Sequence, residues 1–347
     1  MKKKILTYTI ILVLTGITVF ILVKKAGKST LDSESSNFRY NDTASITKIF
    51  IQEKNGAKAT LEKKSPGNWT INGQFPARKR NVELLLYTLK QIDVKFPASG
   101  KALPTVINSI ATVGKKVEFW AGDEKVRVWY MGATTHDHLG TYMVLADPKT
   151  DEKEEQPYVT YIPGFEGFLN SRFYTELNSW KERSILTTTP PEIDYVKVEH
   201  TGMPDSSFII NVLGTNKFTL TDLNKKNINN PDTFAIKQYL SYCCFLEVDE
   251  FLTGQSNREI DSVKQTLPFT VITITLKNGK SQKMKLFAKK PVNDEIDETL
   301  GVKFTKDPNH SYILFNNDQE FGLAQYLMFG KLIQSREYFL HPAFVKK

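Results

Sequence analysis

The order of short segments in the first half of this chain recurs in the second, and this recurrence restricts the fold more than any other feature. Ser45–Ile51 alternates apolar and polar residues, and Asn55-Gly56 follows as a hairpin signal. Ala57–Glu62 and Asn68–Ile71 complete three predicted strands ending at Asn72-Gly73. Val82, Leu85, Leu86, Leu89 and Ile92 then fall on one face of a helix. Leu103-Pro104 opens a shorter helix. Lys116–Trp120 and Lys125–Tyr130 form a second hairpin around Gly122-Asp123, and Thr141–Leu145 and Tyr158–Ile162 add strands. An aromatic, helical segment closes the half at Ser179–Leu186.

From Ile193 the series runs again at an offset of about 150 residues. Ile193–Glu199, Phe208–Val212 and Lys217–Leu220 match the first three strands. A helix capped at Asn230-Pro231 runs through Ile236, Leu240 and Cys243, and Glu259–Lys264 stands where the short helix stood. Phe269–Leu276 and Gln282–Phe287 repeat the second hairpin around Asn278-Gly279. Ser311–Phe315 pairs off with the strand ending at Ile162, and Gln334–Leu340 echoes Lys181–Leu186. Each copy is therefore expected to be an antiparallel sheet with helices on one side, with the boundary at Pro190-Pro191.

Ahead of these copies lies an uncharged run, Ile5 to Val23, between Lys2–Lys4 and Lys24-Lys25. As a helix it would reach about 28 Å, close to the hydrocarbon thickness of a bilayer. A cleaved signal peptide has a shorter apolar core and a small-x-small exit, for which Ala26-Gly27-Lys28-Ser29 is a poor match. The predicted fold class is thus α+β: an N-terminal transmembrane helix followed by two similar antiparallel-sheet-plus-helix units. The expected divisions are an anchor over 1–25, a flexible Ser-rich tether over 26–43, and units over 44–189 and 190–347. The expected location is the cytoplasmic membrane, single-pass, with the bulk of the chain on the periplasmic side.

Forty percent of the 347 residues are apolar, enough for packed cores. The net charge of +8 sits partly at the flanks of the apolar run and is otherwise spread among interleaved acids; in the body Arg78-Lys79-Arg80 is the only tight basic cluster, so nucleic-acid binding is not expected. The adjacent Cys243 and Cys244 cannot readily bridge and read as small core residues.

Few residues suggest chemistry. His136 and His138 flank Asp137 at a spacing that puts both rings on one side of a strand, the weak metal candidate of the chain. A zinc site wants three or four ligands, and His200, His310 and His341 are scattered, so a turn role for Asp137 before Gly140 competes. Trp180 and Arg183 stand at helical spacing, as an interaction anchor or as a core Trp with its neighbouring Arg. Asp249-Glu250, being adjacent, point to opposite faces of a strand and make no acid–base pair. Pro163–Gly167 is Gly-rich without the Lys-Ser/Thr of a phosphate loop and reads as a turn.

Ser45–Ile51, Trp69 with Asn72-Gly73 and Pro76–Arg78, Gly140–Met143, Tyr158–Gly167 and Trp180–Arg183 form a set. Together they resemble the bacterial membrane-anchored family known as domain of unknown function 4340. The resemblance covers most of residues 40–190 and, more loosely, the second copy. It implies an envelope-facing protein with one anchoring helix, in the neighbourhood of auxiliary components of gliding-type ABC transporters. It carries over no catalytic residue and no cofactor. The expected function is a non-enzymatic accessory or scaffold protein with a membrane or envelope partner, ABC transporter subunits among the candidates. The alternatives are a hydrolase or metal-dependent enzyme with a site assembled from loops, and a module binding a cell-envelope ligand.

Overall fold

The computed structural model describes residues 35–252, 258–291, 296–297 and 301–340. The chain divides into two compact units, Met1–Glu182 and Arg183–Lys347.

In the first unit, β1 (Ile46–Glu53), β2 (Lys58–Ser65), β3 (Asn68–Ile71) and β4 (Phe75–Pro76) form a meander. Asn72 and Gly73 both adopt positive φ, 51° and 68°, as a tight hairpin turn between β3 and β4 requires. Helix α1 (Lys79–Gln91), β5 (Asp93–Pro97) and helix α2 (Leu103–Thr112) follow. Then come β6 (Lys115–Ala121), β7 (Glu124–Thr134), β8 (Thr141–Ala146), β9 (Tyr158–Tyr161) and the short helix α3 (Leu177–Trp180). The strands make one nine-stranded sheet in the order β4-β3-β2-β1-β6-β7-β8-β9-β5, with every pairing antiparallel.

Residues adjacent along a strand enter different cores. Met131 and Met143 join Val82, Leu85, Leu89, Phe119 and Trp129 under α1. Tyr130, Tyr142 and Val144 pack with Val106 and Ile110 of α2. Because successive side chains leave a strand on opposite faces, α1 and α2 cover opposite sides of the sheet. Gly132 permits the second contact, since a Cβ there would lie 2.7 Å from Ile110 Cγ1.

The second unit opens with β10 (Ser184–Thr187), followed by β11 (Ile193–His200), β12 (Phe208–Gly214), β13 (Lys217–Thr221) and helix α4 (Thr233–Tyr242). Next are β14 (Phe245–Glu247), β15 (Glu250–Phe251), helix α5 (Arg258–Lys264), β16 (Thr270–Leu276) and β17 (Ser281–Phe287). The small pair β18 (Ile296–Asp297) and β19 (Val302–Lys303), β20 (His310–Phe315), β21 (Glu320–Gln325) and the short α6 (Tyr326–Phe329) complete it. Its main sheet has eight strands in the order β13-β12-β11-β16-β17-β20-β21-β15. Apart from the edge strand β4, this is the order of the first sheet, position for position. Tyr239 of α4 packs edge-on against Phe208 and Phe339 in the main core. Ile260 and Val263 of α5 pack with Phe287, Tyr312 and Phe321 in a second cluster.

The structure corrects several expectations. The expected class, two sheet-plus-helix units behind a transmembrane helix, gives way to a chain built mostly of antiparallel sheets. Helices cover both faces of each sheet rather than one. Among the described residues no helix is long and apolar enough to cross a membrane, which goes against a single-pass location in the cytoplasmic membrane. The longest of them, α1, has 13 residues. At about 1.5 Å per residue it reaches roughly 20 Å, short of a bilayer core. The Ile5–Val23 run lies outside the described residues.

The expected tether also changes. Phe38 is buried with the first core, Tyr40 N–H donates to Leu89 O, and Arg39 pairs with Asp93 at 2.6 Å. The part of 26–43 that is described therefore packs on its unit. The boundary lies at 182/183, because β10 pairs with β14 inside the second unit. Finally, Ser311–Phe315 takes the position of β8, not that of the strand ending at Ile162. The position of β9 belongs to β21, a strand the sequence hides behind Gly322 and Ala324.

Candidate functional site

The Thr134–Gly140 stretch is the β7–β8 turn. Asp137 Oδ1 accepts from the Thr135 hydroxyl and, at 3.0 Å, from Leu139 N–H. These two donors, the Thr135 hydroxyl first, hold the Asp137 carboxyl below the usual range. His138 has φ 57° and donates its N–H to Thr135 O. His136, Asp137 and His138 are all exposed. Among the described residues no three His, Cys, Asp or Glu side chains gather to hold a metal ion.

Trp180 and Arg183 do not share a helix, since α3 ends at Trp180. Trp180 is fully buried in the first core, its Nε1–H donating to Tyr174 O and its carbonyl accepting from Arg78 N–H. That is a structural anchor. Arg183 belongs to the second unit, where its guanidinium lies 3.8 Å from the Asp249 carboxylate and its carbonyl accepts from Val248 N–H.

Asp249 leads to a polar cluster of that unit. Its other carboxylate oxygen lies 3.0 Å from His310 Nε2. His310 Nδ1 stands 3.8 Å from Asp307 Oδ1, and Asp307 Oδ2 pairs with Lys289 Nζ at 2.6 Å. Asp307 Oδ1 also accepts from the N–H groups of Asn309 and His310, 2.8 Å each. Burial raises the Asp307 carboxyl, but Lys289 and the two backbone donors outweigh it and leave it below the usual range. From the sequence, His310 is set aside as scattered, and Asp307 and Lys289 are not singled out. Their separation along the chain gave no spacing to notice. The signal that was available lay in Asp307-Pro-Asn: like Asp137 before β8, Asp307 turns the chain into the matching strand β20, an Asx turn in both copies.

The first unit has its own cluster on the α2 face. Lys116 Nζ contacts Glu118 at 2.7 Å and Asp151 at 2.9 Å, and Lys125 contacts Asp151 at 2.6 Å. Trp120 Nε1–H donates to Glu118 Oε2, and Lys48 Nζ sits 3.6 Å from the centre of the Trp120 ring. Burial works against the Lys116 charge, yet its bonds to Glu118 and Asp151 hold the ammonium above its ordinary value. Both clusters are neutralised from within. Neither contains a Ser, Thr or Cys nucleophile next to a base. The buried Cys243 thiol is pushed well up by burial, and Cys244, bonded to Leu240 O, rises to about 11. Neither supplies a thiolate at neutral pH.

Comparison with family models, curated proteins and solved structures finds no match. The resemblance stated above rests on its motifs.

Proposed function

We propose that this chain is a non-catalytic accessory protein that binds a protein partner through the surfaces of its two sheet units. The observation that carries this reading is the state of its ionisable groups. Asp137 is spent on a turn, and Asp307 with Lys289 closes the approach to β20. Lys116, Lys125, Glu118 and Asp151 neutralise one another on a sheet face. Such groups are engaged in holding turns and strands in place, which supports a non-catalytic reading. The family likeness names transporter subunits as the first partners to test.

The test is crosslinking of the tagged full chain in its native cells, followed by stringent purification and identification of the joined peptides. The expected result is one recurring partner joined to the same surface residues in replicate experiments. Recovery of the chain alone, with turnover of a hydrolase substrate by the pure protein, would overturn the reading.

A further inference from the structure

Among the described residues, Arg172 is a buried cation with no carboxylate partner. Arg172, in the short turn after β9, is 9% exposed. Its Nη1 donates to Thr88 Oγ1 of α1 at 2.8 Å, and the Phe165 ring lies over its guanidinium at 4.4 Å. Burial lowers its ordinary value, and the groups near enough to act on it are the Tyr87 and Tyr174 phenols, which are neutral at ordinary pH. A guanidinium stays protonated in proteins, and no Arg172 nitrogen is both buried and without a hydrogen-bond partner, so the unused N–H groups of the fork face solvent.

The surroundings are apolar and open. Phe165 is 40% exposed, Tyr87 51% and Leu84 36%. Leu84, Tyr87 and Thr88 lie on one side of α1, three and four residues apart. The Pro163–Gly167 turn brings Phe165 over the guanidinium: Gly167 has φ 147°, and a Cβ there would lie 2.9 Å from the Phe165 ring. The result is a guanidinium fork with one N–H group bonded, lying under the exposed Phe165 ring and near Tyr87.

We propose that this recess of the first unit binds a carboxylate carried beside an apolar side chain, as at the C-terminus of a partner chain ending in Leu or Phe. The carboxylate would take the open side of the Arg172 fork, and the apolar side chain would cover Phe165 and Tyr87. Charge complementarity selects the anion. The exposed hydrocarbon around it favours a peptide end over a small hydrophilic ion. The assignment rests on the accessory reading above for the identity of the partner, but the recess itself can be tested without one.

The probes are N-acetyl-leucine, its primary amide and inorganic phosphate, titrated into the full chain by calorimetry and by NMR of the Arg172 Nε–H signal. The acid is expected to bind about tenfold more tightly than the amide, the preference of a charge-assisted fork. Arg172→Gln should abolish that preference, and Phe165→Ala, which spares the bond to Thr88, should weaken the acid several-fold. Arg172→Met controls for folding, since an apolar side chain of similar length removes the buried charge. Equal binding of acid and amide, phosphate binding as tight as the acid, or an unchanged preference in Arg172→Gln would each overturn the proposal. If Arg172→Met unfolds the first unit, the arginine serves structure and the proposal also falls. A crosslinked partner with no acid–amide difference removes the recess alone. An intact difference with no partner removes the accessory reading alone.

Discussion

Asp307 and Lys289 show how a single pair holds a turn in this protein. Their side chains are 9% and 11% exposed, and Asp307 also receives two backbone N–H groups. Removing one partner strands the other charge. Asp307→Ala is therefore expected to cost about 3 kcal/mol, and Asp307→Leu combined with Lys289→Met about 1 kcal/mol less, because no charge is stranded although the two backbone N–H groups still lose their acceptor. Urea unfolding of the second unit checks both. The pH dependence follows from the lowered Asp307 value. A carboxyl whose folded value lies below its unfolded one stabilises the fold above the unfolded value, about 3.9. That contribution disappears as pH falls through the folded value. Acid titration should show the loss below about pH 4 in the wild type and not in the double variant. Asp137 plays the same turn role in the other copy, so His136→Ala with His138→Ala should leave zinc content and stability unchanged, measured by metal analysis and thermal melting.

Among the elements, those with one buried face are the legible ones. The Ser45–Ile51 alternation is visible because Ile49 and Ile51 are buried while Lys48 and Phe50 are only partly so. Helix α1 is visible for the same reason at its own period. For α2, the spacing of Val106 and Ile110 reveals an apolar side but cannot tell which face of the sheet it meets. Strand β21 is invisible because Gly322 and Ala324 replace the branched residues that mark strands. They are small for a structural reason: a Cβ at Gly322 would collide with the Glu250 carbonyl of β15. Gly132 does the same for α2. Gly132→Val is expected to cost about 2 kcal/mol by forcing Ile110 away, read as a lower denaturation midpoint of the first unit. At α4, Asp232 accepts from the N–H groups of Phe234 and Ala235, and Asp232→Ala should cost about 1 kcal/mol in the same assay on the second unit.

For the whole molecule, each unit owns a separate main core. Calorimetry is expected to resolve two unfolding transitions. Cutting at 182/183 should leave a second unit that folds, while a fragment starting at 190 should be destabilised. It lacks β10, which pairs with β14, and Ile185, which belongs to the core. Equal stability of the two fragments would contradict that boundary. By itself the sequence determined the recurring order of strands and helices, because hairpin turns and the periods of two and 3.6 are local properties. Tertiary structure decided the rest: the faces the helices cover, the sheet position of β21, and the meeting of Asp249, Asp307 and His310. Only the fold also buried Arg172 beside Thr88 and Phe165, with no carboxylate partner among the described residues. Contacts of this kind join residues far apart in the chain, and their physics of burial, pairing and desolvation exists only once the sheets have closed.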